Sequence, residues 1–283
     1  TYAVYEYDHS QFSGSVVLND TTQKEQVGLF AYTVCEVRDE KYGLSEFSAN
    51  CVGVVYDTVL LDMFISDHRI DIDTSPNITV SGRYAYDQDI FEGRVQLNDT
   101  LAPVHEVGRR AYDVESIEDP RYALASFRSY PVECVFDQVE IKLTTPRQRI
   151  DVDANAQIIP VAHYHYDNAS FSGSIALNDT ITRYSYPCVR GYRVASIGDA
   201  LYGLTEFCSN TIAVVFDQIQ ATVIVTDQRV DVGADANVTL AATYMYDGSA
   251  FKGPLFLNDT QLSQKEVGRR GYTVTSLRDD LYG

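Results

Sequence analysis

A frame of Tyr-x-Tyr-Asp, then Phe-x-Gly, then Leu-Asn-Asp-Thr occurs four times in this chain, from Tyr5 to Thr21, Tyr84 to Thr100, Tyr164 to Thr180 and Tyr244 to Thr260. Tyr86, Tyr166 and Tyr246 are spaced by 80 residues, and Tyr7 precedes Tyr86 by 79. A fixed period of this size means that one supersecondary unit is built repeatedly, which constrains the fold more than length does. A unit of about 80 residues can enclose a core, though a modest one.

Between turn signals the segments are short and rich in Val, Ile, Tyr, Phe and Thr, which is strand composition. The segment 79–86 alternates, and the spacing puts Val80, Gly82, Tyr84 and Tyr86 on one face. The segment 94–97 alternates and ends at the turn-forming Asn98-Asp99. The segment 110–117 puts Arg110, Tyr112, Val114 and Ser116 on one face, and a long extended run opens at Glu133 and continues through Ile141 and Leu143. No helical period lasts eleven residues. The expected fold is all-β, with tandem β-sandwich modules.

The phase of the modules follows from Phe136-Asp137-Gln138-Val139, which recurs as Tyr56-Asp57-Thr58-Val59 and Phe216-Asp217-Gln218-Ile219. One β run passes into the next there with no Gly, Pro or Ser linker. Modules are therefore expected at 58–137 and 138–217. Incomplete ones flank them, 1–57 lacking its first strands and 218–283 lacking its last. Linkers without flexible residues predict a stiff, elongated rod. The chain opens on Thr with no leader pattern and is expected to be a processed product or a stretch of a longer array. A less favoured alternative is that neighbouring subunits supply the missing strands.

Further along the repeat stand Val267-Gly268-Arg269-Arg270-Gly271-Tyr272, then Tyr202-Gly203-Leu204-Thr205-Glu206-Phe207-Cys208-Ser209-Asn210, then Asp227-Gln228-Arg229-Val230-Asp231-Val232. With the opening frame, these resemble tandem immunoglobulin-like repeats of archaeal cell-surface proteins. The resemblance covers the whole chain. It implies extracellular β-sandwiches and brings no catalytic residues with it. The third module departs from the pattern at Pro187-Cys188 and the second at Ser129-Tyr130-Pro131.

The net charge of −18 opposes binding to nucleic acid or anionic lipid, which need clustered Lys and Arg. No apolar run is long enough to span a membrane. Sequons for N-glycosylation stand at Asn19, Asn77, Asn98, Asn168, Asn178, Asn237 and Asn258, which is seven of the ten asparagines and more than chance gives. The Asn-Asp turn explains the four repeated copies equally well. Cys35 with Cys51, and Cys188 with Cys208, flank matching loops and are expected as disulfides. Cys134 falls where other copies have Val54 and Val214 and is expected to be a buried hydrophobe. No cysteine lies in a metal-binding or haem pattern.

Asp71 and Asp73, Asp151 and Asp153, and Asp231 and Asp235 follow arginines, and Asp57, Asp137 and Asp217 mark the module junctions. Such groups could hold structural calcium, although alternate aspartates on a strand read more simply as solvated or Arg-paired. His163 and His165 occur in one module only and read as exposed. No Ser-His-Asp elbow, phosphate loop or dinucleotide fingerprint is present, so no enzyme is expected. The expected function is structural, as part of a glycosylated extracellular filament, sheath or S-layer-like protein that self-associates. The alternative is an adhesin stalk or carbohydrate-binding array. An accessory region of a secreted enzyme is a third reading.

Overall fold

A computed structural model of the protein describes residues 2–282. Among them there is no helix. The first repeat contributes β1 (Gly14–Leu18), β2 (Gly28–Tyr32), β3 (Val34–Asp39) and β4 (Val52–Tyr56). The second opens with β5 (Val59–Ile65), β6 (Arg69–Asp71), β7 (Ile78–Tyr84) and β8 (Arg94–Leu97). It continues with β9 (Gly108–Tyr112), β10 (Val114–Glu118), β11 (Phe127–Arg128) and β12 (Val132–Asp137). The third opens with β13 (Val139–Thr144), β14 (Arg149–Asp151), β15 (Ile159–Tyr164) and β16 (Ser174–Leu177). It continues with β17 (Cys188–Tyr192), β18 (Val194–Gly198), β19 (Phe207–Ser209) and β20 (Ile212–Asp217). The fourth contributes β21 (Ile219–Val225), β22 (Val238–Tyr244), β23 (Leu255–Leu257) and β24 (Val274–Leu277).

The chain divides into two compact units, one of Thr1–Arg69 with Asp73–Val135 and one of Ile70–Ile72 with Phe136–Gly283. In the first unit β5 pairs antiparallel with β7 and parallel with β11, β8 pairs with β10, β1 with β3 and β2 with β4. In the second unit the same plan returns. There β13 lies between antiparallel β15 and parallel β19, β20 lies between parallel β14 and antiparallel β17, and β16 pairs with β18. The fourth repeat pairs β21 with β22 and β23 with β24.

Alternation along these strands supplies the core. Val59, Leu61, Tyr84, Phe91 and Val114 cluster in the first unit. Val139, Ile141, Leu143, Tyr164, Val194 and Leu204 cluster in the second, and Ala156, Tyr192, Val214 and Phe216 form another group there. The expected all-β class therefore stands, as many small sheets with buried apolar faces between short strands.

Two expectations about faces are corrected. Tyr84 and Tyr86 do not share a face. Strand β7 ends at Tyr84, which is 1% exposed, and the chain then turns, leaving Tyr86 43% exposed. Likewise Ser116 does not follow Tyr112 and Val114 inward. The pairing of β10 with β8 shifts register between Val114 and Ser116. Such a bulge reverses the alternation, so that Ile117 is half-buried and Ser116 exposed.

Candidate functional site

The first tyrosine of each Tyr-x-Tyr-Asp frame is the hub of the repeat. The phenols of Tyr5, Tyr84, Tyr164 and Tyr244 donate to Asp39, Asp119, Asp199 and Asp279 at 2.6–2.9 Å. Each acceptor also caps its own loop. Asp119 takes backbone N–H groups from Arg121 and Leu124, and Asp199 takes those of Leu201 and Leu204. Burial alone would push the Asp119 carboxyl up, but the Tyr84 phenol and the loop N–H groups outweigh it and hold the carboxyl below its ordinary range. Burial, with the bond to the carboxylate, pushes the phenols of Tyr84 and Tyr244 up to about 12.

Each hub ring lies between two others, edge-on or tilted. Tyr84 meets Phe91 and Tyr122, Tyr164 meets Phe171 and Tyr202, Tyr244 meets Phe251 and Tyr282, and Tyr5 meets Phe12 and Tyr42, with centroids 5.1–5.9 Å apart. This is the preferred geometry for aromatic quadrupoles. The glycine of Phe-x-Gly follows from the same packing. A Cβ on Gly93 would lie 2.2 Å from the Glu118 carbonyl and 2.3 Å from the Phe91 ring, and Gly173 and Gly253 are equally confined.

The asparagine of Leu-Asn-Asp-Thr serves the next element. In the second repeat the extended run leaves one sheet as β9 and enters another as β10, with Asp113 between them. A crossing residue has backbone groups that neither ladder satisfies. Asn98 satisfies them. Its N–H donates to the Asp113 carbonyl at 3.0 Å, its Oδ1 accepts the Asp113 N–H at 2.9 Å, and its Nδ2 donates to Ala111 O at 3.4 Å. Asn19 binds Thr33 and Ala31, Asn178 binds Arg193 and Gly191, and Asn258 binds Thr273 and Gly271 in the same way.

The junction aspartates act similarly. Asp217 Oδ1 accepts the N–H groups of Gln218 and Tyr246, both at 2.8 Å, so it ties the single residue between β20 and β21 to the turn after β22. Asp137 and Asp57 make the matching pairs of bonds. Arg149 Nη1 lies 3.4 Å from Asp217, its Nη2 donates to Asp247, and its guanidinium sits over the Tyr244 and Tyr282 rings at 4.9 and 4.7 Å. The side chain is only 12% exposed. Bonds from the Ser249 hydroxyl and Arg149 hold the Asp247 carboxyl well below the usual range.

The remaining expected site residues are not gathered into one place. All five cysteines are free thiols. The expected pairs Cys35–Cys51 and Cys188–Cys208 are not joined, and the two members of each pair lie on or beside different sheets. Cys35 is on β3, beside β1, while Cys51 precedes β4, beside β2. Cys188 is on β17, beside β20, while Cys208 is on β19, beside β13. Cys134 is fully buried, and burial pushes its thiol up to about 11.

Among the acidic residues, Asp71 accepts the Thr205 and Glu206 N–H groups and the Thr205 hydroxyl, Asp73 meets His105, and Asp153 lies 3.5 Å from Arg183. Among the described residues no three potential metal ligands converge. His163 is 3.3 Å from Glu140, and His165 contacts Gln138. A cleft of about 920 Å³ is lined by Arg149, Asp151, Asn155, Asp217, Tyr244 and Tyr282 among others. One repeat earlier the carboxylate matching Asp151 is Asp71, which holds the Thr205–Glu206 loop.

The sequence matches no known protein family, and no curated protein is significantly similar to it. No helix among the described residues is long and apolar enough to cross a membrane.

Proposed function

We propose that this chain is a structural repeat stretch of an extracellular surface filament, sheath or S-layer-like protein of the archaeal type. In this reading immunoglobulin-like sandwich modules at 58–137 and 138–217, flanked by partial modules at 1–57 and 218–283, form an elongated rod. Copies associate through β contacts between subunits, and the role is non-catalytic. The observation that carries the reading is the use of the recurrent residues. Hub tyrosine, loop aspartate, packed glycine, crossing asparagine and junction aspartate each hold backbone or core in place. What such a chain repeats is shape, as length-giving proteins do. Seven sequons and a net charge of −18 agree with a glycosylated, soluble exterior.

A second reading, an adhesin stalk or carbohydrate-binding array, is favoured by the second tyrosine of each frame. Tyr7, Tyr86, Tyr166 and Tyr246 are 38–99% exposed and offer rings on which sugars could stack. Negative-stain microscopy of the purified protein separates the two. Ordered polymers formed without added ligand support the first reading, whereas single rods that bind glycans overturn it in favour of the second.

A further inference from the structure

We propose that Asn77, Asn168 and Asn237 carry N-linked glycans and that Asn19, Asn98, Asn178 and Asn258 remain bare in the folded protein. The assignment rests on the extracellular reading and divides its seven sequons. Exposure does not divide them, since all seven residues are exposed. The bonding of the amides does.

Each Leu-Asn-Asp-Thr asparagine uses both ends of its amide on one stretch of chain, Oδ1 accepting from the crossing residue and Nδ2 donating to a carbonyl two residues before it, at 2.8–3.4 Å. An N–H and a C=O two residues apart point to the same side of an extended chain. The amide hydrogen that reaches the carbonyl is therefore the one on the same side of the C–N bond as Oδ1. N-glycosylation joins Nδ2 to the anomeric carbon of a lipid-diphosphate-linked oligosaccharide. The bond from that carbon to the diphosphate oxygen breaks, the lipid diphosphate leaves, and Nδ2 gives up one proton. The product is a secondary amide, which strongly prefers the trans arrangement. In that arrangement the sugar stands on the Oδ1 side, in place of the hydrogen that holds the crossing. Sugar and clamp exclude each other at these four positions.

Asn77, Asn168 and Asn237 have no such duty. Their side-chain amides make no hydrogen bond among the described residues, and their main chains hold the local structure through bonds to Ser66, Tyr164 and Thr226. Asn77 and Asn237 occupy matching places immediately before β7 and β22. Asn168 sits at a turn with φ of 58°, a conformation asparagine tolerates.

The test is secretion of the chain from a host with an oligosaccharyltransferase, followed by enzymatic glycan release in heavy-oxygen water and peptide mass spectrometry. Released sites become labelled aspartate. Label at Asn77, Asn168 and Asn237, and none at the other four, is the expected result. Sugar on any of the four in folded protein overturns the clamp argument, and absence of sugar from the three overturns their assignment. Asn98→Gln should lower the melting temperature and Asn77→Gln should leave it unchanged; equal effects would also overturn the division. Because the host imposes secretion, these outcomes are separate from the native location. Surface labelling of the source cells tests that, and an internal protein would end the extracellular reading alone.

Discussion

At the scale of the residue, the hub tyrosine and its aspartate set the pH range of the fold. The phenols of Tyr84 and Tyr244 stand at about 12 against an ordinary 10.0. A raised folded-state value means that the neutral form is the one the fold holds. This stabilisation is complete below about pH 10 and is lost as pH rises through 12. Asp119 and Asp279 are shifted the other way, below an ordinary 3.8, because donors to the carboxylate outweigh burial. Their contribution is complete above 3.8 and is lost as pH falls below it. The protein should therefore show a stability plateau between those limits. In an alkaline titration the last phenolate absorbance should rise together with unfolding. Ionisation of every tyrosine near pH 10 with the fold intact would contradict the lock.

At the scale of the element, the repeated glycine sets how closely strand and aromatic ring approach. Gly173→Ala places a Cβ 2.3 Å from both the Gly198 carbonyl and the Phe171 ring. The strain should cost about 1–3 kcal/mol, read as a shift in the denaturation midpoint with an unchanged slope. Much of this layer was legible in the chain itself. The extended run read through Ile141 and Leu143 is a strand with both side chains buried, and Cys134 is buried as expected, like its counterpart Val214, although Val54 in the first repeat is exposed. The side-chain roles were less legible. Whether Tyr86 faces in or out depends on where β7 stops, and that is decided by Asp57 accepting the Tyr86 N–H from 29 residues away. The facing of Ser116 depends on a bulge. The division of each cysteine pair between sheets follows from which strands pair, and spacing along the chain carries no trace of that. The asparagine of Leu-Asn-Asp-Thr has two sufficient explanations in sequence, as turn and as sequon, and only its bonds across the crossing separate them.

At the scale of the whole molecule, continuity of the repeat rests on the junction aspartates. Asp217 is 4% exposed and serves two backbone donors and Arg149 at once. Asp217→Ala leaves a nearly buried guanidinium without that partner and should cost about 3–5 kcal/mol. Asp217→Asn keeps an acceptor for both N–H groups and should cost less. Comparing the two by calorimetry weighs charge against backbone capture.

The claim that these repeats exist to assemble is tested most directly by a reconstruction of the protein in its polymerised state. Short strands in many small sheets leave backbone edges that can pair with a further strand. Ordered polymers in which neighbouring copies meet through β contacts are the expected result. A preparation that stays as separate particles and binds glycans would contradict it.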